Sequence, residues 1–333
     1  DSSALACLWA EHGEAQPRWR TYKAVLGSPV HDQEAQVADV VARVRGRHVG
    51  VPVLPHHVFA FRKAILGAVA QPYERSILAA HWVVRARMAA DGVTGTQDGL
   101  GADELLGGYR PWLTHFAALH RGERVPGLRL VSASRPAVED PGPADVSRAC
   151  AWLAGPARDL AVEKARQDRC ASLDSFSSLC VYHMHHGALP MLLRYNRDFG
   201  AAFAQAARSP FLAPQVATFL LRLGAHHKVD NGQSKAVLRR ALGPRLPPRV
   251  RAHDDKRSYA DLEVAWLGGP SFGRLLGEVR TTCQAWPQLL DASQRVSVWT
   301  APVDKYTCLR LWRIACFGAW ARQFGVSEVD SGD

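Results

Sequence analysis

No run of about eighteen apolar residues occurs in this chain of 333 residues, so nothing in it reads as a membrane-spanning helix. The opening stretch, "DSSALACLWAEHGEAQ", lacks both a basic leader and a long apolar segment, which predicts a soluble, unexported, cytoplasmic protein. CxxC spacing is absent as well. The seven cysteines (Cys7, Cys150, Cys170, Cys180, Cys283, Cys308 and Cys316) are odd in number and widely scattered, which argues against a zinc site or a redox pair and for reduced thiols packed as small hydrophobes. Internal repeats and long low-complexity segments are missing too, which excludes solenoids and arrays.

What is there has an ordinary globular balance, 47% hydrophobic and 22% charged, in a chain long enough to bury a real core. The formal charge of +10 would suit a polyanion, but the basic residues are mostly arginines spread along the whole chain. Nucleic acid is therefore not expected as a partner.

The first hundred residues alternate as an α/β domain does. Helical spacing is read in "DSSALACLWAEH", "HDQEAQVADVVARVRGRH", "HHVFAFRKAILGAVAQ" and "SILAAHWVVRARMAADG", and strands in "TYKAVLGS", "VGVPVLP" and "VTGTQDG". Helices feeding parallel strands predict a doubly wound sheet with ligands outside the carboxyl ends of its strands. From about Gly142 onward the pattern is helical, after a weakly structured stretch "ASRPAVEDPGPAD", and "PQVATFLLRLGA" and "GQSKAVLRRALGPRLP" are its clearest amphipathic pieces.

One segment poses a chemical question: "GLGADELLGGYRP" sets Asp103 and Glu104 side by side between glycine-rich turns, at the end of the third strand. Two adjacent acids there either cap the helix that begins at "DELLGGY" or bind a cation. Four other segments bear on the choice: "DSSALA" at 1–6, "LPMLLRY…RSPFL" at 189–212, "GQSKAVLRRAL" at 232–242 and "DKRSYADLEVAWL" at 255–267. With "DGLGADELLGGY" at 98–109, they occur in an order and spacing that resembles the synthetase domain of the glutamine-dependent asparagine synthetase family, over nearly the whole chain.

That resemblance implies an α/β fold with a parallel sheet of the adenine nucleotide alpha hydrolase (PP-loop ATPase) type and a largely helical C-terminal part. It implies one synthetase domain over 1–333, with a nucleotide-binding part at 1–112 and a mainly helical part at 113–333 that completes the site. Such domains open with a strand and a Ser-Gly-Gly-x-Asp-Ser loop, and this chain begins at the Asp of that loop, so it looks like a fragment of a longer protein. The family's N-terminal glutaminase domain is not within these 333 residues.

The cofactors implied are ATP and Mg2+. ATP's phosphates are highly charged, and magnesium takes hard carboxylate oxygens with one or two protein ligands; by resemblance these are Asp1 and Asp103. ATP-binding positions carried over are Ser2, Ser3, Val25, Asp98, Gly99 and Gly101, with Ser2 and Ser3 equally able to cap a helix. Lys235 matches the family lysine that reaches over the phosphates, although a lysine on an amphipathic helix is ordinarily a solvated surface residue. Glu104 would orient Lys235 or a magnesium-bound water, or cap its helix. The activity implied is AMP- and pyrophosphate-forming amide synthesis, from aspartate or another carboxylate and ammonia from glutamine, with a glutaminase domain upstream or in trans. A homodimer is compatible with it.

Departures from the family pattern fall on the acceptor side. Where asparagine synthetases read roughly "LLRYEDRNSMAxSIExRxPFLD", this chain reads "LLRYNRDFGAAFAQAARSPFLA", with Ala206 and Ala213 in place of acids and an inverted pair Arg197 and Asp198. "QPYERS" at 71–76 lacks the usual Asp-Glu-Pro, and Ser258 and Tyr259 replace a glycine-aromatic turn. The resemblance therefore speaks more firmly for adenylation than for aspartate, and leaves open a β-lactam synthetase-like or lasso-cyclase-like ligase, a catalytically degenerate homologue, or a base-adenylating RNA-modifying relative. Outside these motifs, "HMHH" at 183–186 lies on a helix with residues that do not share a face, "AHHK" at 225–228 reads as a loop, and Trp266, Trp299, Trp312 and Trp320 read as core.

Overall fold

The computed structural model describes residues 1–12, 19–109, 153–154, 158–161, 175–253, 258–288 and 304–327. The "ASRPAVEDPGPAD" stretch, Cys150, Cys170, Trp299 and the Asp-Lys-Arg start of the "DKRSYADLEVAWL" motif lie outside them.

Alternation holds through the first part: α1 (Ser2–His12), β1 (Arg20–Val25), α2 (Pro29–Asp32), α3 (Glu34–Val44), β2 (Arg47–Pro52), α4 (His57–Ala60), α5 (Arg62–Val69), α6 (Leu78–Ala90), β3 (Gly95–Gln97) and α7 (Ala102–Leu106). The next described helices are α8 (Phe176–His186) and α9 (Leu189–Ala202), then β4 (Ala206–Arg208), α10 (Pro214–Arg222), α11 (Ala225–Lys228), β5 (Val229–Asp230), β6 (Gln233–Ser234), α12 (Ala236–Ala241) and α13 (Pro248–Ala252). Three helices close the chain: α14 (Ala260–Gly268), α15 (Phe272–Ala285) and α16 (Lys305–Phe324).

The strands pair as the alternation requires, but in small units. β1 and β2 are parallel, Arg20 to Val25 facing Arg47 to Pro52 in register, and β3 is parallel to β4, Gly95 to Gln97 facing Ala206 to Arg208. Among the described residues these are separate two-stranded sheets, not the single doubly wound sheet expected. β3 and β4 are only three residues long: β3 ends where the chain turns at Asp98, and β4 ends two residues before Pro210, which has no N–H to extend a ladder. The mixed α/β class stands, and the pairing of β3 with β4 ties the first hundred residues to the helical part.

Several local readings change, the helix read over 31–48 being α2 and α3, broken at Gln33, with its last two residues in β2. The helix expected over 56–71 is two, broken at Phe61, and "AHHK" is the short helix α11 instead of a loop. Lys235 does not lie on a helix; it precedes α12 in a left-handed conformation.

α16 starts where the Asp304 carboxylate accepts the Thr307 N–H at 2.7 Å and stops at Gly325, whose φ of +64° suits a residue without Cβ. It buries Leu311, Trp312 and Cys316 against α14 and α15, in a core that also takes Ile65 and Leu66 of α5, Trp82 of α6, Phe199 of α9 and Trp266 of α14. Trp266 and Trp312 are thus core residues, as expected, and Trp320 packs against the same cluster. The described cysteines are free thiols, and burial pushes Cys316 up to about 12 and Cys180 up to about 11, which makes them poor nucleophiles. Glu263, with no exposed surface, accepts from Arg75 Nε (2.7 Å), Ser76 Oγ (3.0 Å) and the Ile77 N–H (3.1 Å), so the "QPYERS" loop is anchored to α14. No described helix is long and apolar enough to cross a membrane.

Candidate active site

α7 is the centre of the site, and two glycines set its ends. Gly101 stands before it at φ +90°, where a Cβ would collide with Leu212, and Gly107 stands after it at φ +68°, where a Cβ would come 2.7 Å from Phe176 Cζ. Between them Ala102, Leu105 and Leu106 are buried on Phe211 and Leu220 at about 1.5–3 kcal/mol for each leucine. That packing leaves the Asp103 side chain on the partly exposed face, 23% accessible.

Lys235 reaches the same place from the opposite side. The hairpin of β5 and β6 turns at Asn231 (φ 48°) and Gly232 (φ 74°), the Asn-Gly pair that tight two-residue hairpins favour. The chain then passes through Lys235 at φ 57°, ψ 34°, a left-handed residue that costs about 1–2 kcal/mol when it is not glycine. The Lys235 N–H donates to Leu106 O at 3.2 Å, so its backbone is fixed to the end of α7 while its side chain runs back along that helix.

The Lys235 ammonium lies between two carboxylates. Nζ is 2.6 Å from Asp1 Oδ1 and 2.8 Å from Asp103 Oδ1, with the lysine side chain only 15% exposed. Gly108 makes room: a Cβ there would overlap Asp103 Oδ1 and come 2.6 Å from Lys235 Cε. Asp1 is placed by α1, whose Ala4 and Cys7 pack on Val40 and Val44 of α3. Gly99 is where the two halves of the site touch, since a Cβ on it would stand 2.6 Å from Asp1 Cβ and 3.0 Å from the Ser2 nitrogen.

Of the residues singled out from the sequence, Asp1, Ser2, Gly99, Asp103 and Lys235 therefore converge, and Asp98 and Gly101 belong to the turn that carries Gly99. Ser3 follows in the first turn of α1, half-buried. Glu104 is buried at 4% exposure and accepts the Tyr109 hydroxyl at 2.5 Å; burial and the two neighbouring acids push that phenol well above its usual range. Val25 ends β1, exposed, its carbonyl taken by the Val53 N–H at 2.9 Å, and its described contacts do not reach the Lys235 cluster.

Several residues that position the site were not read from the sequence. Asp32, 4% exposed, accepts the Leu26 N–H at 2.7 Å and the Ser28 N–H at 2.9 Å and so shapes the turn after Val25; its signal was the "GSPVHD" turn chemistry. Asn196 and Ser209 hold Asp98, Arg85 holds Asn196, and Tyr109 holds Glu104. The contacts around Asp98 and Asn196 join residues about a hundred positions apart and leave no local pattern.

The donor set suits a hard divalent cation. Two carboxylates from different elements reach one point, which matches a magnesium ion held by one or two acids and completed by phosphate and water. Among the described residues no group of three or more His, Cys, Asp or Glu side chains is arranged to hold a metal by itself.

Two acids and a lysine from three separate parts of a mixed α/β chain thus meet beside a glycine-bounded helix. The sequence model of the asparagine synthase family matches residues 1–322, so this chain belongs to that family of ATP-dependent, amide-forming ligases. No curated protein sequence matches the chain.

Proposed function

We propose that this chain is the synthetase part of an AMP- and pyrophosphate-forming amide ligase with a PP-loop ATPase type of fold, acting by default on aspartate. The convergence of Asp1, Asp103 and Lys235 carries this reading. Asp1 and Asp103 would hold Mg2+, and Ser2, Ser3, Val25, Asp98, Gly99 and Gly101 would line the ATP site. When bound, the magnesium ion neutralises phosphate charge and orients the phosphates for in-line attack. A substrate carboxylate oxygen attacks the α-phosphorus, the bond to pyrophosphate breaks, and an acyl-adenylate forms. An amine then attacks the acyl carbon, sheds a proton and expels AMP.

Lys235 stabilises the negative charge that builds on the phosphoryl oxygens in the first step and on the acyl oxygens in the second. Its ammonium rests between the two acids that would hold Mg2+, so it would lie beside the phosphates such an ion neutralises. Glu104, fixed by Tyr109, keeps α7 and therefore Asp103 in place. Ammonia would come from glutamine, through a glutaminase domain upstream or in trans.

A second reading, a ligase of the same chemistry on another carboxylate, is favoured by Ala206 and Ala213, which stand in β4 and at the start of α10 where the family pattern carries acids. Pyrophosphate release from Mg-ATP by the full chain, with aspartate and ammonia, separates the two. Aspartate-dependent release with asparagine formed supports the first, release dependent on a different carboxylate supports the second, and no ATP use removes both.

The contact at Gly99 makes a prediction of its own. Gly99→Ala forces α1 and the Asp98–Gly101 turn apart, at an overpacking cost of about 1–3 kcal/mol, and should weaken Mg-ATP binding about tenfold or more. Gly277→Ala, on α15 in open space, serves as the control and should leave binding unchanged. Equal titration calorimetry for the two variants would show that the contact is irrelevant to the nucleotide.

A further inference from the structure

Three elements meet on the Asp98 carboxylate. Its Oδ1 accepts from Ser209 Oγ at 2.7 Å and from the Leu100 N–H at 3.0 Å, and its Oδ2 accepts from Asn196 Nδ2 at 2.5 Å. The Asn196 amide is oriented at both ends, because its Oδ1 takes a hydrogen bond from Arg85 Nη2. An amide between a guanidinium and a carboxylate can face only one way.

Arg85 and Asn196 are buried, 3% and 4% exposed. Arg85 also donates from Nη1 to Thr96 Oγ1 in β3 at 2.9 Å and to Gln205 Oε1 at 3.2 Å, and Gln205 Nε2 returns a bond to the Arg85 carbonyl at 3.1 Å. Burial lowers the tendency of this guanidinium to stay charged, and the Asp98 charge opposes that. His81, one turn earlier on α6, is held down to about 4 by burial and by Arg85, so it is neutral near pH 7 and adds no charge. A buried cation is thus balanced by Asp98 across one neutral amide, and the same cation grips the strand that leads into the turn.

We propose that Asn196, held by Arg85, is a positioning residue that sets the Asp98–Gly101 turn against Asp1 and Ser2. The inference rests on the activity proposed above for its consequence, the shape of the nucleotide site. It concerns α6 and α9, which supply none of the residues assigned there to ATP or Mg2+.

The test exchanges the acid and the amide. Asn196→Asp alone puts a second carboxylate against Asp98, and two acids in contact hold a proton between them and titrate upward. Mg-ATP affinity of Asn196→Asp should fall about tenfold or more at pH 8 and recover toward about pH 6, over a range in which the wild-type protein is flat. Adding Asp98→Asn restores every hydrogen bond: the new amide still accepts from Ser209 and Leu100 and donates to the new carboxylate, which pairs directly with Arg85. The double exchange should abolish the pH dependence that Asn196→Asp introduces, whatever Asp98→Asn itself does to affinity.

Exchange of the Leu100 amide hydrogen reads the turn without any nucleotide, and should quicken in Asn196→Asp and slow again in the double exchange. Ser209→Ala removes one donor from the same carboxylate without touching the buried relay, and should quicken Leu100 exchange a few-fold, about the effect of one hydrogen bond. A wild-type protein that does not bind Mg-ATP would overturn the activity reading, and Leu100 exchange would still decide this one. Unchanged exchange in Asn196→Asp and Ser209→Ala, or a double exchange in which Leu100 exchange stays as fast as in Asn196→Asp, overturns the positioning role.

Discussion

Asp103→Asn should remove magnesium-dependent ATP turnover by about three powers of ten or more while the protein remains folded. The substitution keeps the shape of the side chain and takes away one of the two carboxylates that meet at Lys235. A cation bound through hard anionic oxygens loses several kcal/mol of charge stabilisation when one is made neutral, which sets the scale of the effect. The folding cost is much smaller. Asp103 sits in the first turn of α7, where an acid contributes about 0.3–1 kcal/mol against the helix dipole, and Lys235 keeps Asp1 as a partner. Pyrophosphate release at rising Mg2+, beside a thermal melt within a few degrees of wild type, checks both halves. Turnover that survives would move the metal away from Asp103; a collapsed melt would make the residue structural.

Much of this site is legible in the sequence because the turns that build it are written locally. Gly101 and Gly107 fall in the glycine-rich turns read on either side of "ADELL", whereas Gly232 opens a segment read as an amphipathic helix, so the Asn231-Gly232 hairpin that delivers Lys235 is missed. The parallel pairing of the early strands follows from alternation alone. What the sequence conceals is the third dimension of those turns. "GQSKAVLRRAL" has helical spacing through Lys235, and the residue stands outside the helix because its N–H is bound to Leu106 O, on another element.

The sheet is where local reading overreaches. Alternation gives strand identity but not how far a ladder extends, and three-residue strands between a turn and a proline stop early. Long-range polar contacts are invisible for a related reason. Asn196 looks like a surface residue of an amphipathic helix, and it is buried because Arg85 and Asp98 arrive from two distant parts of the chain. Glu263 looks like any helix acid and is fully buried by the 75–77 loop.

Lys235→Ala separates charge from strain, and its consequences run in two directions. Turnover should fall by roughly two to three powers of ten, the scale of deleting one charge-stabilising donor. Mg2+ alone should bind the variant more tightly than wild type, because the ammonium between Asp1 and Asp103 is gone and two like charges are left facing each other. A melt that rises with Mg2+ further than the wild-type melt does would register that gain while the rate falls. Lys235→Gly should lose the same rate but, relieved of a left-handed Cβ, should be more stable than the alanine variant by about 1 kcal/mol. Equal rates for wild type and both variants would return Lys235 to an ordinary surface lysine. A loss of rate without any change in the response to Mg2+ would mean that its ammonium does not share the metal's place, so that the strained backbone at Lys235 aims the side chain at substrate alone.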